Sequence, residues 1–258
     1  MQILIPMTGY GSRFVSAGYH DLKPFIKVHN KMIIEWVIRL FPNEDNITFI
    51  CKKEDIDKHD VYQKLRKLSN NYKIHVIDDW QKLGPVYDIL SCEDIIKPNE
   101  PIIVNYCDFY MHWDYEHFKD TMLQNKFDGG IPCYTGFHPH LIPLKNLYAS
   151  CKVDSSMRLI DIKEKYSHHV NRFKNFNSTG TYYFKSGSLA IKYYKKQLEL
   201  KLMTNNEYYC SLTYNLLVKD KLNVHVYDKI NKFCQWGTPE DLESYMKNIN
   251  KTRMIKSQ

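Results

Sequence analysis

An α/β fold with a mostly parallel sheet flanked by helices is predicted by three features of the 258-residue sequence. First, short apolar runs of strand length recur, MQILIPM, NITFICK, YKIHVID and PIIVNYCD, each rich in β-branched residues and bounded by polar turn residues. Second, KMIIEWVIRLF and DIDKHDVYQKLRKL lie between the first three runs, with apolar residues at helical spacings of three and four. Alternating strand and helix require crossovers over a sheet face, hence parallel pairing. Third, the texture changes after Gly129: GGIPCYT, YASCKVD, RLIDIKEK and GTYYFKS are strand candidates with few helices between them. They predict a small antiparallel extension of the sheet.

The remaining elements fall into place around that plan. A helix is expected from Gly84 to about Lys97, ahead of PIIVNYCD. The chain ends in helices, at SGSLAIKYYKKQLELKL, NEYYCSLTYNLLVKD and TPEDLESYMKNI, the last opening on Thr238-Pro-Glu-Asp with proline at the first helical position. Neither a repeat, a low-complexity tract nor a linker interrupts the chain, so residues 1–258 read as one unit with a change of character near 128.

Bulk properties narrow the function classes. The net charge of +7 is spread along the chain rather than gathered into runs, which suits phosphorylated small ligands better than nucleic acid. The seven cysteines lack Cys-x-x-Cys spacing and are expected as buried, reduced thiols. His138-Pro139-His140, two histidines about a proline on a loop, makes a poor chelate and reads as an acceptor-recognition loop or plain surface. The opening shows no basic segment followed by a long apolar one, and no stretch approaches the roughly 18 apolar residues of a membrane span. A cytoplasmic protein without a membrane partner is the expectation.

Chemistry begins at "IPMTGYGSRF". After an apolar strand, Gly9-Tyr10-Gly11-Ser12-Arg13 frees the backbone to turn and exposes consecutive N–H groups that suit phosphate oxygens. It is neither a Walker A loop, which ends in Gly-Lys-Ser/Thr, nor a dinucleotide fingerprint, which has a third glycine. By its glycines alone, a structural corner and a phosphate cradle are equally good readings. Arg13 favours the cradle, since a guanidinium can clamp phosphate in bidentate fashion. Ten residues on, Pro24 stiffens the chain at Lys23, which is either held toward the same site or a solvated loop lysine. Asp108 ends the strand PIIVNYCD, where open α/β sheets place ligands, and is either a ligand-binding carboxylate or a cap on the next turn.

"IPMTGYGSRF…DLKPFIKV", followed by "MIIEWVI", resembles the signature of the sugar-phosphate nucleotidyltransferases, or nucleotide-sugar pyrophosphorylases, and most of all their branch from bacterial capsule and surface-polysaccharide gene clusters. "LGPVYDIL", "VNYCDFYMHWD", "DGGIPCY", "HPHL", "IKEK", "TGTYYF", "NEYYCSLTYNLL" and "WGTPEDLESY" continue the likeness in order over nearly the whole chain. The resemblance implies a GT-A-like, Rossmann-like fold, with a nucleotide-binding part over about 1–128 and an acceptor-binding part over about 129–258. The implied partners are a nucleoside triphosphate, with CTP, UTP or dTTP expected, and a phosphorylated sugar or polyol. Mg²⁺ is the implied cofactor, and a homo-oligomer is compatible.

Site residues follow from the same resemblance. Gly9, Tyr10, Gly11 and Ser12 would wrap the triphosphate, Arg13 would contact its β and γ groups, and Lys23 would stabilise the α-phosphate. Asp108 would hold Mg²⁺. Gly84 would read the base with Gln81 as a helper, although the family usually has small residues where Pro85 and Val86 stand. Glu164 and Lys165 would meet the sugar ring and its phosphate, with Thr179, Gly180 and Tyr208 lining the acceptor pocket. One departure stands out: Gln235 in "FCQWGTPEDL" occupies the place where many members carry a second metal-binding aspartate. Either Asp108 and the phosphates hold the ion alone, or Glu240 or Asp241 contributes, or the chain is a non-catalytic nucleotide-binding paralogue. A GT-A glycosyltransferase is the other alternative, but "CDFYM" lacks the second aspartate of an Asp-x-Asp motif.

Overall fold

The computed structural model describes residues 1–69, 71–142 and 148–256, with side chains through Lys247. In chain order the first half contains β1 (Gln2–Pro6), α1 (Ser12–Ser16), β2 (Lys27–Val28), β3 (Lys31–Met32), α2 (Ile33–Ile38), β4 (Ile47–Lys52), α3 (Lys53–His59), α4 (Val61–Arg66), β5 (Lys73–Ile77), α5 (Pro85–Leu90), β6 (Ile102–Asn105), β7 (Phe109–Trp113) and α6 (Tyr115–Gln124). The second half adds β8 (Gly129–Tyr134), β9 (Ser150–Val153), β10 (Leu159–Lys163), β11 (Phe176–Ser178), β12 (Thr181–Phe184), α7 (Gly187–Glu199), α8 (Cys210–Lys219), β13 (Val224–Tyr227), β14 (Ile230–Gln235) and α9 (Pro239–Lys256).

One ten-stranded sheet organises these elements, in the order β10-β9-β11-β8-β12-β6-β1-β4-β5 with β13 paired to β8. β6, β1, β4 and β5 are parallel, as the strand–helix alternation requires. The continuous apolar character of these strands reflects burial on both faces. In β1, Ile3 and Ile5 pack with Ile33, Ile34 and Val37 of α2, whereas Leu4 packs on the other face with Val86 and Ile89 of α5. From β1 the chain moves to β4 and β5 on one side, then returns to place β6 on the other. The crevice beyond the C-terminal ends of β1 and β6 is therefore a topological switch point, where open α/β sheets bind ligands.

Three sequence expectations are corrected. GTYYFKS does not belong to an antiparallel extension: β12 runs inside the main sheet, antiparallel between β6 and β8. The extension consists of β9, β10 and β11 and is continuous with the sheet through β11–β8 pairing. The helix expected over 55–68 is two helices, because Asp60 takes a left-handed φ of 50° that ends one and starts the next. The helix expected from Asn206 begins only at Cys210, leaving Tyr208 and Tyr209 outside it. Strands β7, β13 and β14 and helix α6 are additional. β7 and β14 form a separate antiparallel ribbon whose register sets Gln235 opposite Phe109, directly beside Asp108.

Candidate active site

Two adjoining cavities open at the switch point. One, of about 260 Å³, is lined by Gly9, Tyr10, Gly11, Lys23, Gly84 and Asp108, among others. The other, of about 240 Å³, is lined by Arg13, Asp108, Glu164, Lys165, Thr179 and Gly180, among others. Tyr106, Asp108 and Tyr209 belong to both walls, so the cavities meet at the end of β6.

The glycine turn follows β1 directly. Gly11 has φ 58°, a left-handed conformation, and its amide group heads the short helix α1. An added Cβ there would lie 3.5 Å from Cβ of Lys23, which shows how closely the Lys23-Pro24 segment approaches the turn. Lys23 Nζ donates to Asp108 Oδ2 at 2.6 Å, with both side chains partly open to the cavities. A cation and a carboxylate are thus held at the boundary between the two cavities.

Gly84 forms the opposite wall. Its φ of 93° and ψ of 173° lie in a region that is essentially glycine-only. A Cβ would come within 2.8 Å of the Tyr208 backbone nitrogen. The close approach has a purpose, since Tyr208 N–H donates to Leu83 O at 2.7 Å and Val86 N–H donates to Tyr208 O at 3.1 Å. Tyr208 is therefore a buried backbone strap for the Gly84 turn and does not line the second cavity; Tyr209 does.

In the second cavity, Glu164 and Lys165 follow directly on β10, and Lys165 takes a left-handed φ of 53°. Burial raises the Glu164 carboxyl above its ordinary range, even though Ser211 Oγ donates to it at 2.6 Å. At Gly180, φ 94°, an added Cβ would lie 3.1 Å from the Tyr106 ring and 3.2 Å from that of Phe109, closer than ordinary van der Waals contact. Thr179 Oγ1 donates to Pro132 O at 3.1 Å, which ties β8 to the cavity floor.

Arg13 lines this second cavity and is not among the residues lining the cavity of the glycine turn. Ser12 and Gln81 are exposed and line neither cavity. At Gly237 an added Cβ would lie 2.6 Å from Gln235 Nε2 and 3.2 Å from Asp108 Oδ2, which places the Gln235 amide beside that carboxylate. Glu240 and Asp241 line a separate hollow behind Gln235, together with His138 and His140. Burial lowers both imidazole pKa values, that of His140 to about 3, so they are neutral at pH 7. Among the described residues no group of three or more His, Cys, Asp or Glu side chains could hold a metal ion.

Comparison with solved structures decides the architecture. A nucleoside-diphosphate-sugar pyrophosphorylase from Vibrio cholerae superposes with a TM-score of 0.76 at 19% identity, covering 95% of this chain and all of that one. A UDP-glucose pyrophosphorylase complexed with UDP-glucose gives 0.74 at 16% identity, over 97% of this chain and 98% of that one. The chain has the nucleotide-sugar pyrophosphorylase fold. An inositol-1-phosphate CTP transferase from T. maritima shares it at a TM-score of 0.67 and 15% identity, over 95% of this chain and 96% of that one. No protein-family model and no curated protein matches the sequence.

On this pyrophosphorylase fold, sequence reasoning missed several cavity residues. Tyr106 and Tyr209 are the shared walls, and Tyr148 and Phe233 close the second cavity. Trp80 and Asp88 line the cavity of the glycine turn. Asp88 left one sequence signal, a lone acid within the apolar helix PVYDIL. The seven cysteines are all unpaired thiols, six of them buried, as expected. None of the described helices is long and apolar enough to cross a membrane.

Proposed function

We propose that this chain is a nucleotidyltransferase that joins a nucleoside triphosphate to a sugar-1-phosphate, or to a related phosphorylated polyol, and releases pyrophosphate. An acceptor phosphate oxygen attacks the α-phosphorus, and the bond from that phosphorus to its β-bridging oxygen breaks. The protein's task is to align two polyanions and to neutralise charge on the departing pyrophosphate, with no covalent intermediate. The observation that carries this reading is the Lys23–Asp108 pair at 2.6 Å, set where a glycine-turn cavity meets a cavity holding Arg13, Glu164 and Lys165.

The triphosphate occupies the cavity of the glycine turn, with Gly84 facing the base. The acceptor sugar meets Glu164 in the second cavity, and its phosphate meets Lys165 and Arg13. On nucleotide binding Lys23 exchanges Asp108 for the α-phosphate, where its charge is worth most as the phosphorus becomes five-coordinate. Asp108 is then free to hold Mg²⁺ by a single carboxylate. That donor set fits, because Mg²⁺ commonly keeps waters and binds one or two carboxylates together with substrate phosphates. Mg²⁺ held there supplies positive charge to the phosphates. Gln235 offers only a neutral amide oxygen beside it.

A cytoplasmic role in building surface polysaccharide is the biological setting we propose, with CTP, UTP or dTTP as donor. Gln235 also favours a second reading, a nucleotide-binding protein without turnover. Pyrophosphate release from a matrix of five nucleoside triphosphates and a panel of phosphorylated acceptors separates the two. Release that falls at least 100-fold in Lys23→Ala supports transfer, and a Lys23→Ala rate near wild type contradicts the role given to Lys23.

A further inference from the structure

The nucleotide-side cavity contains a buried carboxylate that the reaction above does not use. Asp88, on α5, is 2% exposed. Its two oxygens are taken by donors from two different walls: Thr8 Oγ1, at the start of the glycine turn, donates to Oδ2, and Trp80 Nε1 donates to Oδ1 at 2.9 Å. A second bridge runs in parallel. Lys52 Nζ, itself paired with Asp55 at 3.4 Å, lies 4.2 Å from the Tyr10 ring centre and 4.8 Å from that of Trp80. Tyr10 meets Trp80 edge-on, with ring centres 5.0 Å apart.

A carboxylate held by two neutral donors in an apolar setting is a poor stabiliser, and an apolar side chain of similar size usually serves a core as well or better. The rest of this wall follows the ordinary rule, with Val86 and Ile89 packed into the core beside Asp88. What the carboxylate provides, and an apolar group cannot, is directional attachment to both walls at once.

We propose that Asp88 is a positioning residue of the nucleotide site: through Thr8 and Trp80 it fixes the glycine turn against the wall that ends in Gly84, and so sets the spacing between the phosphate-binding and base-binding ends of the cavity. The ligand it serves rests on the nucleotidyltransferase reading; the tether itself does not. The ionised carboxylate accepts from both donors with its charge behind each bond; protonation removes that charge and reverses the Thr8 bond, weakening the hold on both walls. Burial pushes its pKa up to about 6, with Glu207 adding to the rise and Lys52 opposing it. The other charges facing this space are Lys82, paired with Glu207 at 3.8 Å, and the Lys23–Asp108 pair across the cavity.

Two measurements test the tether. Trp80 emission, taken as the difference between wild type and Trp80→Phe, should titrate with a midpoint near pH 6 and lose that transition in Asp88→Asn. At pH 7.5, binding of UTP, CTP, dTTP, GTP and ATP with Mg²⁺ is measured, and for the tightest of them Asp88→Leu, which removes both bonds, and Thr8→Val should each weaken affinity about tenfold, the scale of one charge-assisted hydrogen bond. The double variant should be no weaker than either single one, because both break the same link. Under turnover KM for the nucleotide should rise more than kcat falls, and Thr8→Ser should restore wild-type affinity. Thr8→Val supplies the same test if Asp88→Leu does not fold. An unchanged emission midpoint, or affinities within twofold of wild type, overturns the proposal. If wild type binds none of the five nucleotides, the nucleotide reading fails, and the emission midpoint still judges the tether.

Discussion

Gly84→Ala should be among the most damaging single-methyl changes in the chain. The backbone at Gly84 lies at φ 93° and ψ 173°, which costs a residue with a side chain about 1–3 kcal/mol. The added Cβ would also sit 2.8 Å from the Tyr208 nitrogen and 3.0 Å from its carbonyl oxygen. These are backbone atoms, already committed to hydrogen bonds with Leu83 and Val86, so no side chain can swing away to make room. Overpacking of this kind costs a further ~1–3 kcal/mol, and we take about 4 kcal/mol as the combined loss. For a domain of this size that lowers Tm by roughly 12 °C, at ~2–4 °C per kcal/mol. Differential scanning calorimetry measures it directly, alongside Gly9→Ala, where an added Cβ meets nothing within 4 Å. A Gly84→Ala melt within 2 °C of wild type would refute the claim that Tyr208 straps this turn.

Gly237→Ala has no comparable backbone penalty, and its Cβ would crowd the flexible Gln235 amide and Asp108. Stability should change by less than ~1 kcal/mol while kcat falls at least tenfold, since small displacements of aligned groups are expensive in rate; steady-state kinetics beside a thermal melt checks both. Gln235→Asp puts a second carboxylate beside Asp108 and should lower the Mg²⁺ concentration for half-maximal rate about tenfold, read from a metal titration. Glu164 has a carboxyl pKa raised by burial, so its ionised form is lost as pH falls through that raised value. KM for the acceptor should rise on acidification in wild type and stay flat in Glu164→Gln. The sign for stability is opposite, because an acid with a raised folded pKa destabilises the fold once ionised. Glu164→Gln should therefore melt no lower than wild type at pH 8.

The parallel half of the fold was legible because burial on both sheet faces writes long apolar runs, and the crossover helices between them keep a 3.6-residue period. β12 was misplaced for the same reason: TYYF reads as a strand wherever it pairs, and only long-range register puts it between β6 and β8. α6 went unseen because its stripe of Tyr115, Phe118 and Met122 is short and sits among charged and polar residues. In the site, residues whose place is set by chain direction were readable, such as the glycine turn after β1 and Asp108 just beyond the end of β6. Arg13 lines the second cavity, a placement its sequence position leaves open, since sequence fixes that it leaves the turn but not toward which cavity. Tyr208 was read as a lining side chain when its backbone does the work, and backbone hydrogen bonding leaves no mark on residue type. Asp88 and Trp80 escaped because their partners, Thr8 and Lys52, are remote in sequence.

The central claim is that one cavity holds a triphosphate, the other a phosphorylated acceptor, and that the Lys23–Asp108 junction is where pyrophosphate is released. It is tested most directly by following pyrophosphate with each nucleoside triphosphate, an acceptor panel and Mg²⁺. The account predicts release that requires both substrates and falls at least 100-fold in Lys23→Ala with the fold intact. Retained nucleotide binding with no release from any pair, or sugar transfer from a preformed nucleotide sugar without pyrophosphate, would contradict it.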